Sequence, residues 1–82
     1  MPHVIVKLWP GKSEDQKRRL SDAIVREVTS ILDYGDESVS VGFEEINAQD
    51  WAAKVFNPDI LDKWSMLSKE PGYGPRPTRS AG

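Results

Sequence analysis

This 82-residue sequence offers few of the side chains that usually bind zinc. His3 is the only histidine and cysteine is absent, so neither a structural zinc site nor a disulfide is expected. Two residues near the start of the chain are candidates for a functional site because of their position. Pro2 directly follows Met1, and Lys12 lies in the turn after the first apolar run. Each also has an ordinary explanation, because a proline can stand by accident at a flexible terminus and a turn lysine is usually solvated.

The elements that would position these residues are predicted as a strand, a helix and a second strand. Residues 3–9 and residues 38–46 each alternate two kinds of side chain, as strands with two differently used faces do. The apolar side chains are Val4, Val6 and Leu8 in the first stretch and Val39, Val41 and Phe43 in the second. The opposite side of the first stretch carries His3, Ile5, Lys7 and Trp9.

A helix of roughly 18 residues is predicted between the two strands. Ser13 and Gln16 have the spacing of a capping box, and Gly35 suits the left-handed residue that ends many helices. The residues that recur at the spacing of one helical face are Leu20, Ala23, Ile24, Val28, Ile31 and Leu32. A helix of this length permits a parallel crossover, so we predict an α+β chain with a β-α-β unit and a parallel two-stranded sheet.

The C-terminal part shows a weaker pattern. Residues 47–56 could form a short helix that contains Trp51. Asn57 and Pro58 then resemble the cap and first residue of a second short helix, which would continue to Trp64. We therefore predict short C-terminal helices after the second strand.

The chain is predicted to form a single domain over residues 1–82. Its core is expected at about 2–67, and residues 68–82 form a Pro- and Gly-rich tail that is extended unless a partner subunit holds it. A composition of 38% hydrophobic and 29% charged residues is typical of a small soluble protein. The net charge of -2 favours neither nucleic acid nor an anionic membrane as a partner. A signal segment and a membrane-length apolar run are both absent, so a cytoplasmic location is expected.

A chain this short needs additional burial to be stable. It hides only about 60% of the surface that its unfolded form exposes. Two strands and one helix leave sheet edges unpaired, and the face away from the helix would expose Ile5 and Trp9. A second copy could extend the sheet and cover that face, where Gly42 permits close approach. We predict a homo-oligomer.

Together these features resemble the tautomerase superfamily typified by 4-oxalocrotonate tautomerase. The resemblance covers about residues 2–46, through the Met-Pro start, the stretch PGKSEDQKRRL entering a helix, and the second strand SVSVGFEEI. The chain length, the start PH, Trp51 and the stretch KEPGYG look closer to the short dimeric bacterial tautomerases than to the hexameric type member. The resemblance thus favours a dimer over a hexamer.

The resemblance implies a role for Pro2 as the general base of a cofactor-independent keto-enol tautomerase, an isomerase. In the family the initiator methionine is removed, which leaves the proline with a free secondary amine. An α-amino group ordinarily titrates at about pH 8, and an apolar pocket beside a cation lowers its pKa, so the amine can accept a proton near neutral pH. Inside a chain the proline nitrogen is an amide, so the mechanism requires removal of Met1. The implied substrate is a small anionic 2-oxo acid or its enol.

The resemblance also implies two substrate-binding residues. Lys12 stands where the type member has an arginine that binds a substrate carboxylate, and Trp51 is near the position of an aromatic wall beside the proline. Ser40 departs from the pattern, because the type member has a second arginine there. Arg76 and Arg79 could replace that cation from a neighbouring copy, although a solvated tail is the simpler expectation.

Two other functions are compatible with the same residues. Some members of the superfamily use the proline as an acid in hydration or dehalogenation of haloacrylates, usually with an added carboxylate that cannot be assigned here. The chain could also be a non-catalytic oligomeric module that binds small ligands. His3 is expected to serve packing or an interface rather than catalysis, since it points away from the face on which Pro2 lies.

Overall fold

The computed structural model describes residues 1–78. The chain forms two compact units, Met1–Asn47 and a second unit that begins at Ala48. The first contains strand β1 (His3–Leu8), helix α1 (Glu14–Leu32) and strand β2 (Ser40–Glu45), with a 3₁₀ turn before β2. The second contains a π-helix (Ala52–Leu61) between two further 3₁₀ turns.

The first unit is the predicted β-α-β unit. Strands β1 and β2 are parallel neighbours, with His3 opposite Ser40 at one end and Leu8 opposite Glu45 at the other. Val4 and Val6 are half-buried on the side of the sheet that faces α1, whereas His3 and Ile5 on the other side are exposed. The predicted parallel two-stranded sheet is confirmed.

Helix α1 begins as predicted, but its left-handed C-terminal residue lies two positions earlier than predicted. The Ser13 hydroxyl accepts a hydrogen bond from the Gln16 N–H at 3.0 Å, and the Gln16 side chain accepts one from the Ser13 N–H at 2.9 Å. At the other end Asp33, with φ 60° and ψ 52°, is the left-handed residue, whereas Gly35 has φ −81°. Asp tolerates this conformation better than most residues, so the expectation that Gly35 would adopt it was wrong.

The buried face of α1 is narrower than its apolar pattern. Half-buried positions include Ser21, Ile24, Val25 and Val28. Three residues predicted for this face are instead exposed: Leu20 at 43%, Ile31 at 73% and Leu32 at 55%. The helix of 19 residues is about 28 Å long and the strands of six residues are about 20 Å long, so the last helical turn extends beyond the sheet. One chain therefore leaves part of this apolar stripe uncovered.

One π-helix replaces the two short helices expected in the second unit. It runs through Asn57 and Pro58, which do not start a separate segment. The Asp62 N–H donates to the Asn57 carbonyl at 3.0 Å, a separation of five residues. In an α-helix the ring of a proline clashes with the carbonyl four residues back, and wider π turns change that pairing. A π-helix is therefore compatible with the proline inside it.

The second unit has its own small core. Val55 and Phe56 are each 4% exposed, and among residues 1–78 they are the two residues that are buried. Tyr73 packs on Phe56 with ring centroids 5.6 Å apart. Arg76 lies 5.2 Å from the Trp64 ring and 3.1 Å from the Glu70 carboxylate. The described part of the tail is thus held by the chain's own residues.

Within residues 1–78, helices long and apolar enough to cross a membrane are absent. The same residues contain no group of three or more His, Asp or Glu side chains that could hold a metal ion.

Candidate active site

Pro2 lies at the start of β1, with its carbonyl tied to the neighbouring strand. The Ser40 N–H donates to the Pro2 carbonyl at 3.2 Å, which continues the parallel pairing by one residue beyond β1. Met1, whose side chain is 92% exposed, precedes the half-buried Pro2. The hydrogen bond holds the main chain of Pro2 without using its nitrogen. Removal of Met1 would convert this nitrogen from an amide into an amine at a fixed place on the sheet.

A hydrogen-bonded pair lies directly beside Pro2. The His3 ring nitrogen Nδ1 and the Ser40 hydroxyl oxygen are 2.6 Å apart, and both side chains are exposed. The parallel register brings the two residues together, since His3 is directly opposite Ser40. The two residues are 37 positions apart in the sequence, so the pair becomes visible only once the register of the strands is known.

Lys12 lies at the opposite end of β1. Together with Leu8, Gln16, Lys17 and Leu20 it lines a depression of about 230 Å³. Gly11, with φ 119°, forms the turn that precedes Lys12. Among residues 1–78, Lys12 makes no ion pair, so its ammonium group is available to a ligand.

Lys17, the other cation that lines this depression, is paired with two carboxylates. The Lys17 ammonium is 2.9 Å from the Glu14 carboxylate and 3.1 Å from the Glu45 carboxylate, and the Lys17 side chain is only 14% exposed. The hydrogen bond with Glu14, followed by that with Glu45, raises the pKa of Lys17 above its ordinary value. Lys17 is therefore a structural cation, and Lys12 is the better candidate for binding an anion.

Pro2 and Lys12 of one chain do not meet. Six residues separate Pro2 from Leu8, which at the rise of a strand corresponds to about 20 Å. Lys12 shares its depression with Leu8, so it lies at the far end of this distance. A site that uses both groups must therefore combine Pro2 of one copy with Lys12 of another.

Trp51 lies in the second unit, immediately before the π-helix. Its indole N–H donates to the Tyr73 hydroxyl at 3.0 Å, and the Trp51 side chain is half-buried. The amino-acid pattern does not indicate a functional role for Tyr73. Its partner is 22 residues away and its only local signal is its place in the stretch PGYG.

Arg76 in the tail is not a free cation. Arg76 is engaged by Glu70 and by the face of Trp64 within its own unit. Arg79 lies outside the described residues.

The sequence matches one family and several relatives. The family model described as tautomerase enzyme matches residues 2–56. The chain is 39% identical over 74 residues to the "probable tautomerase" of Xylella fastidiosa (strain 9a5c), covering 90% of each chain. It is 35% identical over 74 residues to Tautomerase PptA of Enterobacter sp. (strain 638), covering 89% of this chain and 97% of the relative.

Solved structures show the same fold. The crystal structure of YwhB, a homologue of 4-oxalocrotonate tautomerase, superposes with a TM-score of 0.55 at 30% identity and covers 56% of this chain and 75% of that one. The apo unfused 4-OT structure gives a TM-score of 0.58 at 28% identity, with 60% and 80% covered. A trans-3-chloroacrylic acid dehalogenase structure, at 20% identity and a TM-score of 0.58, supports the fold alone.

Proposed function

This chain belongs to the tautomerase family, and from that premise we propose that it is a cofactor-independent keto-enol tautomerase acting on a small anionic 2-oxo acid or its enol. The general base is the amine of Pro2 after removal of Met1. The observation that carries this proposal is where the family match begins, since residue 2 is the first residue that the tautomerase model matches. The exposed Met1 supports it, because a processing enzyme can reach that residue.

The reaction is the transfer of one proton across a conjugated system. The neutral Pro2 amine removes the hydroxyl proton of the enol and becomes an ammonium ion, while the oxygen becomes the new carbonyl. The ammonium then delivers a proton to the carbon end of the former double bond. The amine is neutral again at the end, so the cycle needs neither a redox partner nor net proton uptake.

Lys12 and Trp51 bind the substrate in this proposal. The Lys12 ammonium holds the substrate carboxylate as a single point charge, which gives less directional binding than the bidentate fork of an arginine. Its positive charge also lowers the pKa of the Pro2 amine when the two lie in one pocket. The Trp51 ring forms an apolar wall that excludes water and favours the neutral amine.

The active site is assembled between copies of the chain, with a dimer as the preferred unit. The separation of about 20 Å between the two ends of β1 supports this, since a single copy leaves Pro2 and Lys12 apart. Uncovered apolar surface supports it as well. Ile5 is 47% exposed on the open sheet face, and Ile31 is 73% exposed on the helix. A second copy that covers these surfaces would supply the burial that this small chain lacks.

The experiment that tests the proposal is ketonisation of phenylenolpyruvate followed by absorbance. Protein with Met1 removed should exceed the buffer rate, and Pro2→Ala should lower kcat by about 10²-fold or more, the usual contribution of a positioned acid-base group. Circular dichroism should show an unchanged fold. Rates that are equal for the two proteins would refute the assignment of Pro2.

A further inference from the structure

The indole of Trp51 has one polar group, and Tyr73 binds it. An indole N–H can only donate, and here it donates to the Tyr73 hydroxyl at 3.0 Å. This contact joins the start of the π-helix to the PGYG stretch, 22 residues later. A tryptophan side chain has two rotatable bonds, so fixing the N–H restricts the orientation of the whole ring plane.

Tyr73 is itself fixed by the buried core of the second unit. Its ring packs on Phe56, with centroids 5.6 Å apart and planes inclined by 51°. Phe56 is 4% exposed, so Tyr73 rests on a side chain that has little freedom to move.

The residue after Tyr73 makes this close packing possible. Gly74 has φ 77°, and a Cβ atom at this position would lie 2.7 Å from Cε2 and Cζ of Phe56. Only glycine combines this backbone conformation with so close an approach. The hydroxyl of Tyr73 is therefore presented to Trp51 from a turn that is seated against the core.

From this arrangement we propose that Tyr73 is a positioning residue that sets the plane of the Trp51 ring and so determines selectivity for 2-oxo acids or enols with an aromatic side group. The inference rests on the proposed role of Trp51 in substrate binding. Stacking of two aromatic rings depends on their mutual orientation, whereas contact with a short aliphatic chain depends on it less. A ring wall held by Tyr73 therefore favours a flat aromatic substrate.

The contact is tested first by NMR of the indole N–H groups. The chain has three tryptophans, and Trp51→Phe identifies the resonance of interest. Tyr73→Phe keeps the ring that packs on Phe56 and removes only the hydroxyl, so the Trp51 resonance should move upfield and exchange faster with solvent. Tyr34→Phe is the matched control, because its hydroxyl has no hydrogen-bond partner within residues 1–78. An unmoved Trp51 resonance in Tyr73→Phe would overturn the positioning contact whatever the activity.

Selectivity is tested by steady-state kinetics of the same variants. For phenylenolpyruvate, KM should rise about three- to ten-fold in Tyr73→Phe, the effect of one lost hydrogen bond, with kcat nearly unchanged. For 2-hydroxymuconate, which has no aromatic ring, neither constant should change by more than about two-fold, and Tyr34→Phe should match the parent for both substrates. Equal changes for the two substrates, or no change for either, would overturn the inference.

The kinetics of Pro2→Ala distinguish failure of the proposed function from failure of the inference about Tyr73. If Pro2→Ala keeps the parent rate, the assignment of the base is wrong. If Pro2→Ala is inactive while Tyr73→Phe keeps the parent KM for phenylenolpyruvate, the base stands and the inference about Tyr73 is overturned.

Discussion

Replacing Lys12 with alanine is expected to change catalysis while leaving the fold intact. Lys12 is exposed, lies in a turn and makes no ion pair among residues 1–78, so its removal should alter stability by less than about 0.5 kcal/mol. If its ammonium binds the substrate carboxylate, Lys12→Ala should raise KM for a carboxylate substrate. Lys12→Arg should keep or improve that binding, because the guanidinium offers two parallel hydrogen bonds.

The size of the accompanying pH effect distinguishes action within one copy from action between copies. Across the roughly 20 Å between Pro2 and Leu8 at the two ends of β1 in one chain, two unit charges would interact by about 0.2 kcal/mol in water, and salt reduces this further. In a shared pocket, at about 5 Å and an effective dielectric constant of about 20, the interaction is about 3 kcal/mol. The first value moves the pKa of the Pro2 amine by about 0.1 unit and the second by about two units. Removing the cation raises this pKa, so the ascending limb of the pH-rate profile should move to higher pH by about one to two units in Lys12→Ala.

Refolding a mixture of two variants tests whether one active site combines residues of two copies. Pro2→Ala and Lys12→Ala chains, unfolded together and refolded, should form mixed dimers in which one of the two sites has both parent residues. Because about half of the dimers are mixed, about a quarter of the parent activity should return. Mixing either variant with itself is the control. An unchanged KM, an unshifted profile and no regained activity would together show that Lys12 is only a solvated turn residue.

Three further predictions concern stability and assembly. Gly74→Ala should lower the melting temperature by several degrees, because the left-handed φ alone costs about 1 kcal/mol or more and the new methyl group meets the buried ring of Phe56. Gly72→Ala is the control, since a Cβ atom there has open space around it, and it should melt at the same temperature as the parent. A Cβ atom added at Gly42 would meet nothing within 4 Å in one chain, so the Gly42→Ala monomer should keep its fold. If a second copy covers the sheet face away from α1, sedimentation should show weaker dimers for this variant. Unchanged association would exclude that face as the contact between copies. The hydrogen bond that Lys17 donates to Glu14 raises the pKa of Lys17 above its ordinary 10.5. The stability from this ion pair is therefore fully present below pH 10.5 and is lost as the pH rises through the raised value. Lys17→Arg should lose less stability than the parent between about pH 10 and about pH 12 in urea unfolding, and parallel losses would contradict this assignment.

The sequence predicted those parts of the fold that depend on neighbouring residues. Alternation in β1 and the capping box at Ser13 are local patterns, and both are confirmed. The exposure of Ile31 could not be predicted, because it depends on where the sheet ends beneath the helix. The path of the chain through Pro58 could not be predicted either, because a proline at that position ordinarily starts a helix.

The candidate site also has parts that the sequence predicts and parts that only the structure shows. Pro2 and Lys12 were selected from their place in a familiar order of elements, and the family match supports that order. The separation of the two ends of β1, on which the proposed second copy rests, follows only from the strand geometry. The bond between Trp51 and Tyr73 joins distant residues and leaves no periodic signal, so only the folded second unit reveals it.

The most direct test of Pro2 as the general base compares two synthetic chains that differ only in Met1. Residues 1–82 and residues 2–82 share every side chain of the site, but the Pro2 nitrogen is an amide in the first and a secondary amine in the second. After refolding, with intact masses verified, both are assayed with phenylenolpyruvate across the pH range. The chain starting at Pro2 is expected to be active, and the ascending limb of its pH-rate profile should lie below about pH 8, the ordinary value of an α-amino group. The chain that retains Met1 is expected to stay at the buffer rate. Equal activity of the two chains would contradict Pro2 as the base.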